Sequence, residues 1–152
     1  MNYAPQYRSY LDKGDRVSKT NIRPYGIYRI STYKYVDDGR QVLRGDEETL
    51  IFVTGIYQRK VSALKLSNIP PLKFVQWLKR VVGVNSYKDG MKRVDELKIP
   101  FDIGGTRIYD SYIKNNTDFV AKGAAYRTYN LDGIQYATEM FLNEKTLKQY
   151  YG

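Results

Sequence analysis

The sequence contains no cysteine and no histidine in its 152 residues. Without cysteine it has no disulfide bridges, no thiolate zinc site and no thiol nucleophile, and without histidine every catalytic triad or dyad that uses an imidazole is excluded. Most familiar enzyme chemistries are therefore ruled out. We expect a protein that is not an enzyme and that holds no cofactor or metal.

Long apolar runs are also missing. No apolar run is close in length to the roughly eighteen residues that a membrane helix needs. No signal-type apolar segment follows Met1. We therefore expect a protein that has no transmembrane segment and is not secreted.

Carboxylates are the remaining candidates for catalysis or metal binding, and they are poorly placed for either. The acidic groups at 37–38, 46–48 and 95–96 are neighbours in sequence, and neighbouring residues of a strand point to opposite faces of a sheet. Their surroundings are typical of solvated turns. A magnesium-dependent nuclease stays a minor alternative, because carboxylates suit Mg²⁺ but no pattern brings three of them together.

Positive charge exceeds negative charge and is unevenly distributed. The 25 Lys and Arg against 16 Asp and Glu give a net charge of +9. Residues 1–44 carry a net +5, residues 45–58 carry −3 and residues 59–93 carry +8, whereas residues 94–152 are close to balanced. This bias favours a polyanion or an acidic protein as the partner, although a merely solvated basic surface gives the same composition.

Tyrosine is the second unusual feature, with 16 Tyr against 5 Phe and 1 Trp. Tyrosine provides a large contact area and keeps a hydroxyl, which suits interfaces. Aromatic rings also pack well within β-strands. We expect different tyrosines to serve these two purposes.

The pattern divides the chain into two parts. Residues 1–24 have few aliphatic side chains and no sustained period, so we interpret them as an extended N-terminal arm, with a floppy tail as the alternative. The anchors of this arm would be Tyr3, Tyr7 and Tyr10. Residues 25–152 form one predicted domain, with a barrel-like core plus helix over 25–83 and a mixed extension over 84–152.

Alternation of side chains predicts strands in the first half of this domain. Residues 25–36 alternate and end in a turn signal, after which a short strand over 40–43 returns to pair with them. The apolar run at 50–57, which follows an acidic loop at 45–48, predicts a central strand buried on both faces. It forms a predicted hairpin with 60–66.

Helix signals follow. A proline pair and a helical spacing of apolar residues predict an amphipathic helix over 70–82, with a basic outer face. A second helix is predicted over 106–115 and a strand over 125–131, while 134–141 fits either a strand or a helix. Asn143 is a candidate N-cap for a last helix.

These elements together predict an α+β fold. We expect a small β-barrel-like sheet of the SH3-like or OB-like kind, capped by the amphipathic helix and preceded by the extended arm. Trp77 is expected in the buried stripe of the helix rather than at a contact surface.

The strongest functional signal is the interleaving of aromatic rings with cations. Rings beside cations form a stacking platform for nucleic acid, and Tyr and Arg also anchor protein–protein interfaces. Both hypotheses require these side chains to be gathered at the surface. The residues that we expect to bind a partner or nucleic acid are Arg29, Tyr33, Tyr35, Arg59, Lys60, Lys73, Lys79 and Arg80.

The run 51–81, a strand hairpin that leads into a proline-initiated helix, resembles small uncharacterised proteins of tailed bacteriophages, as does the segment 125–134. The resemblance covers about a third of the chain. It implies a virus-encoded component that is either built into the particle or attends its genome.

We therefore expect a non-enzymatic structural or interaction component of a phage-type virion, which docks onto other virion subunits in an oligomeric assembly through its Tyr/Arg-rich surface and its arm. The alternative is an accessory protein that binds DNA or RNA through the basic surface of residues 25–93. Its location would be the virion or the host cytoplasm, with no membrane partner.

Overall fold

The computed structural model describes residues 2–23, 26–35, 41–82 and 126–151. The strands in these ranges are β1 (Leu11–Val17), β2 (Ile27–Tyr35), β3 (Gln41–Tyr57), β4 (Lys60–Lys65), β5 (Tyr126–Asn130) and β6 (Ile134–Leu142). They form one antiparallel sheet with the order β1-β6-β2-β3-β4-β5.

Helical elements join or cover the strands. The α-helices in the described ranges are α1 (Pro71–Val82) and α2 (Glu144–Tyr151), and the 3₁₀-helices are η1 (Ala4–Ser9), η2 (Lys19–Asn21), η3 (Leu66–Asn68) and η4 (Leu131–Gly133). The prediction of an α+β fold is confirmed. Within the described part of the chain, no helix has the length and apolar character needed to cross a membrane.

β3 is the longest of these strands and is buried on both faces. Ile51, Phe52 and Val53 have no exposed surface, because β2 and β4 pair on either side and an apolar cluster lies on each face. The predicted central strand and its hairpin with β4 are therefore confirmed. The predicted acidic loop at 45–48 is wrong, since these residues belong to β3. Ser31 pairs with Glu48 and Tyr33 with Leu43, so the ladder between β2 and β3 shifts register here.

Alternation along the strands gives the sheet two hydrophobic faces. On the outer face, Phe52 packs against Phe74 and Trp77 of α1, and Tyr7 of η1 packs against Phe74, with ring centroids 5.5 to 6.2 Å apart. Burying each large side chain of this kind stabilises the fold by about 1.5–3 kcal/mol. The inner face carries the second cluster, whose fully buried members are Ile30, Ile51, Val53, Val61, Ala63, Ile134 and Ala137. Trp77 lies in the core, as predicted.

The connection through η4 shows that the sheet is strongly curved. Three residues link β5, at one edge, to β6, which lies four strand positions away. Four flat strand spacings measure about 19 Å, whereas the four residue steps from Asn130 to Ile134 reach about 14 Å at most. The sheet must therefore bend towards its inner face. Among the described strands the sheet does not close, because β1 and β5 remain its edges, so the expected SH3-like or OB-like barrel is not confirmed.

The N-terminal residues lie on the sheet. β1 pairs with β6, and Tyr7 is 2% exposed, with its hydroxyl donating a hydrogen bond to the Ile69 carbonyl at 2.8 Å. The backbone N–H of Tyr3 donates to the Ser67 carbonyl at 2.8 Å. The extended arm is not confirmed: the segment has few aliphatic residues because β1 is an edge strand with mostly exposed side chains.

The C-terminal elements complete this arrangement. The predicted strand at 125–131 is confirmed as β5, and the ambiguous segment 134–141 is the strand β6. Asn143 caps α2, because its side-chain oxygen accepts a hydrogen bond from the Thr146 N–H at 2.8 Å. The predicted helix over 106–115 lies outside the described residues.

The same cap joins the two ends of the described chain. The Tyr10 carbonyl accepts hydrogen bonds from the Asn143 N–H at 2.9 Å and the Thr146 hydroxyl at 3.1 Å. The ring of Tyr10 stacks on Tyr150 with centroids 6.3 Å apart. All three proposed arm anchors thus contact their own chain.

Candidate functional site

The structure places the predicted site residues on three different elements. Arg29, Tyr33 and Tyr35 belong to β2, Arg59 and Lys60 to the β3–β4 hairpin, and Lys73, Lys79 and Arg80 to α1. The side chains of Tyr35, Lys79 and Arg80 are outside the description, and their positions are given by the backbone alone. Lys60 and Lys73 are exposed, whereas Arg29 and Tyr33 are half-buried.

Arg59 is engaged within its own chain. Its guanidinium forms a two-pronged ion pair with Asp132 of η4, in which Nε lies 3.2 Å from Oδ2 and Nη2 contacts Oδ1. Lys19 lies 4.0 Å from the same carboxylate, and the hydrogen bond from Arg59 lowers the pKa of Asp132 below its usual value. Gln58 and Arg59 have positive φ angles of 51° and 61°, as in a two-residue hairpin turn. Arg59 therefore ties this turn to η4.

A second group of polar residues lies on the outer face beyond the part that packs against α1. Arg16 of β1 and Arg29 of β2 both pair in register with Thr138 of β6, so their side chains share this face. In the next row, Tyr136 and Glu48 both pair with Ser31. We call this group the Arg–Tyr patch, and it consists of Lys13, Arg16, Arg29, Tyr33, Glu48 and Tyr136.

Four side chains of the Arg–Tyr patch form a connected array across four strands. The Arg16 guanidinium lies 3.8 Å from the centroid of the Tyr136 ring. The Tyr136 hydroxyl donates to Glu48 Oε1 at 3.4 Å, and Arg29 Nε lies 3.5 Å from Glu48 Oε2. Exposed contacts of these kinds contribute about 0–1 kcal/mol each, so the array orients the side chains more than it stabilises the fold.

Gly14 allows β1 to present Arg16 in this position. The ladder between β1 and β6 shifts register between Lys13 and Arg16, and Gly14 lies in that shift. A Cβ at this position would collide with the Phe141 ring. The glycine is therefore required by the close approach of an aromatic ring to the backbone.

A cavity of about 70 Å³ opens beside the Arg–Tyr patch. Its lining residues are Ala4, Tyr7, Leu11, Arg29, Glu48, Leu50 and Met140. Sites for drug-sized ligands measure about 300–1,000 Å³, so this cavity suits a group of a few atoms. Among the described residues, no three carboxylates lie close enough together to hold a metal ion.

The described tyrosines divide between the core and partly exposed positions. Tyr7 and Tyr28 are buried, and burial raises the pKa of both hydroxyls. The remaining described tyrosine side chains are half-buried, and they are Tyr3, Tyr10, Tyr33, Tyr129, Tyr136 and Tyr150. Arg16 already covers one face of the Tyr136 ring, so this face is closed to a stacking base.

Sequence reasoning missed most of the Arg–Tyr patch. Lys13 and Arg16 lie in the segment interpreted as an arm, and their common face depends on the register shift at Gly14. Tyr136 lies in the segment that fitted either a strand or a helix. The spacing of basic residues around a glycine in β1 was the available signal, but it becomes informative only once β1 is known to pair with β6.

The site is thus a group of three cations, two half-buried phenols and one carboxylate on one face of the sheet, next to a small cavity. Comparison with known proteins found no matching family model, no matching curated protein and no matching solved structure.

Proposed function

We propose that this chain is a non-enzymatic interaction protein that docks onto a neighbouring protein through the Arg–Tyr patch. The observation that carries this proposal is the connected array of Arg16, Tyr136, Glu48 and Arg29. Tyr and Arg are enriched in protein–protein interfaces and among their energetic hot spots. Side chains that are already held in one orientation lose less conformational freedom on binding, which favours association.

Two features of the array favour a protein over nucleic acid as the partner. Single-stranded nucleic acid stacks its bases on open aromatic faces, and the Tyr136 face is covered by Arg16. Glu48 also pairs with Arg29, so this cation is less available to a phosphate. A protein surface, which carries both signs of charge, matches this arrangement better.

We further propose that the neighbour is another subunit of a phage-type virion and that the curved sheet is barrel-like. The resemblance of 51–81 and 125–134 to tailed-phage proteins supports the proposal of a phage-type virion. The shape is supported by the short η4 connection, which draws β5 and β6 together.

Photo-crosslinking in the cells or particles that contain the protein tests the docking proposal. The photoreactive residue p-benzoylphenylalanine replaces Tyr33 in the Arg–Tyr patch or, as the matched control, exposed Lys145 of α2. We expect protein adducts from position 33 at several times the yield from position 145. Equal yields from both positions, or adducts to nucleic acid alone, would contradict the proposal.

The nucleic-acid alternative makes a different prediction. If six to ten cations met phosphates, the affinity for an oligonucleotide would fall by about 10³–10⁵ between 50 and 200 mM salt. Replacing Lys79 and Arg80 together by Ala would flatten that dependence. For a protein that docks through the Arg–Tyr patch, we expect neither effect.

A further inference from the structure

We infer that the Arg–Tyr patch recognises an extended, carboxylate-bearing segment of its partner, and that a small aliphatic side chain of this segment occupies the cavity beside Arg29. This inference rests on the proposed docking function and narrows the partner to an acidic peptide. It follows from the charge of the patch, the spacing of its cations and the size of the cavity.

The charge of the patch selects an anionic partner. Lys13 and Arg16 are exposed and Arg29 is half-buried beside Glu48, so the three cations and one carboxylate of the patch carry a net positive charge. The central carbon of the Arg16 guanidinium lies over the Tyr136 ring, 3.8 Å from its centroid. The N–H groups of a guanidinium lie along its edge and match the two oxygens of a carboxylate.

The spacing of the exposed cations matches an extended peptide. Lys13 pairs in register with Met140 and Arg16 with Thr138, and these two partners are alternate residues of β6. Alternate residues of a strand are about 6.8 Å apart and point to the same side. Carboxylates at alternate positions of an extended partner would therefore meet Lys13 and Arg16 in turn.

The cavity supplies a place for an apolar anchor on the same side of the sheet. Leu11, Leu50 and Met140 provide apolar walls, and Arg29 and Glu48 provide the polar ones. Its volume of about 70 Å³ is well below the roughly 150 Å³ of a cavity that admits benzene. An alanine- or valine-sized side chain fits this space, and anchors of this kind dominate the energetics of many interfaces.

Few phosphate contacts are available in the same place. With three cations and one carboxylate, the Arg–Tyr patch cannot approach the six to ten phosphate contacts that make nucleic-acid binding strong. An acidic peptide needs two carboxylates and one anchor, and the described side chains provide sites for all three.

Peptide binding to the purified full chain tests the inference. The probe is a labelled seven-residue peptide, Val-Ser-Glu-Ser-Glu-Ser-Val, called the Glu–Val peptide, whose Glu and Val side chains point to the same side when it is extended. Fluorescence anisotropy in 50 mM salt follows its binding, and the comparison probes are the same peptide with Gln in place of both Glu and an eight-nucleotide oligo-dT. We expect the Glu–Val peptide to bind most tightly. Lys13→Gln combined with Arg16→Gln should weaken its binding by about threefold to tenfold, as expected for two exposed charge contacts.

Two further variants separate charge from anchoring. Lys73→Gln combined with Lys145→Gln removes two exposed cations elsewhere and should leave the affinity within twofold. Ala4→Leu places a larger side chain in the lining of the cavity. It should weaken binding of the Glu–Val peptide severalfold but leave unchanged the binding of the same peptide with Gly in place of both Val. Thermal unfolding of each variant establishes that it is folded.

Three results would overturn the inference: tighter binding of oligo-dT than of the Glu–Val peptide, equal losses in the two double variants, or no binding of the Glu–Val peptide. If position 33 still cross-links to a protein in any of these cases, the docking function stands and the acidic-peptide inference alone fails. If position 33 gives no protein adducts, the docking function fails whatever the peptides do.

Discussion

Replacing Tyr7 by Phe should change the pH dependence of stability in a way that other core substitutions cannot. Tyr7 is 2% exposed, and its hydroxyl donates to the Ile69 carbonyl at 2.8 Å. Without this hydroxyl, the buried carbonyl loses its donor, which costs about 1–3 kcal/mol. At pH 8 we therefore expect Tyr7→Phe to be less stable than the unmodified protein by about 1–2 kcal/mol.

Above pH 10 the difference should shrink and then reverse. Burial, with a smaller effect of nearby Tyr10, raises the pKa of Tyr7 well above the usual value of about 10. The stability linked to this group is therefore complete below pH 10 and is lost as the pH rises towards the folded-state pKa, because only the unfolded chain releases the proton. The loss is about 1.4 kcal/mol per pH unit, so the two stability curves should cross near pH 11.

Urea unfolding at several values between pH 8 and pH 11.5 measures this effect. Circular dichroism follows the sheet, and fluorescence follows Trp77, the single tryptophan, which packs against Phe52 and Phe74. Phe74→Leu is the control, because it disturbs the same cluster without removing a phenol and should run parallel to the unmodified protein. A Tyr7→Phe curve that also stays parallel would refute a buried, hydrogen-bonded Tyr7 hydroxyl.

Substitutions at four other positions test local features of the fold. Gly14→Ala should lower the free energy of unfolding by about 1–3 kcal/mol, because the added Cβ collides with an aromatic ring; urea unfolding measures this. Asn143→Ala should lower the free energy of unfolding by about 1 kcal/mol through loss of the α2 cap, and it should speed amide hydrogen exchange in α2. Asn143→Asp keeps the capping oxygen and should lower the free energy of unfolding by less. Gln58→Gly should raise the melting temperature, with a gain of about 0.5–1 kcal/mol, because glycine relieves the positive φ of 51°. Asp132→Asn should reduce the loss of stability between pH 7 and pH 3, measured by urea midpoints. Arg59 lowers the pKa of Asp132 in the folded protein. The stability that the ionised Asp132 contributes is therefore present above the unfolded pKa of about 3.9 and is lost as the pH falls through the folded value.

Each of these expectations has a contrary result. An unchanged free energy of unfolding in Gly14→Ala would mean that the backbone at this position does not approach the Phe141 ring closely. Equal losses of stability in the two Asn143 variants would mean that the capping oxygen does not stabilise α2. A lower melting temperature for Gln58→Gly, or an Asp132→Asn variant with the same acid dependence as the unmodified protein, would argue against the turn geometry and its ion pair.

Local patterns made the centre of the fold predictable. The run at 50–57 has apolar residues on both alternating faces, and a strand with that composition is stable only when both faces are buried. The helix over 70–82 has a proline pair at its start and an apolar stripe at helical spacing, which fixes both where it begins and which side packs. These features depend on residues close in sequence.

The arrangement around β6 was not predictable in the same way. Residues 134–141 fit two periods, and their strand conformation is decided by pairing with β1 and β2, which lie more than a hundred residues earlier. The contact of Arg16 with Tyr136 depends on that pairing and on the register shift at Gly14. The burial of the Tyr7 hydroxyl likewise depends on its hydrogen bond to Ile69, a residue 62 positions away.

The position of β6 between β1 and β2 also determines when the protein can fold during translation. The ribosome produces both neighbours long before residues 134–142, so each has an exposed hydrogen-bonding edge while synthesis continues. Such edges are templates for incorrect pairing in nascent chains. Exposed charged side chains, as on β1, disfavour incorrect pairing of an edge strand, and the six-stranded sheet is complete only after residue 142 has left the exit tunnel.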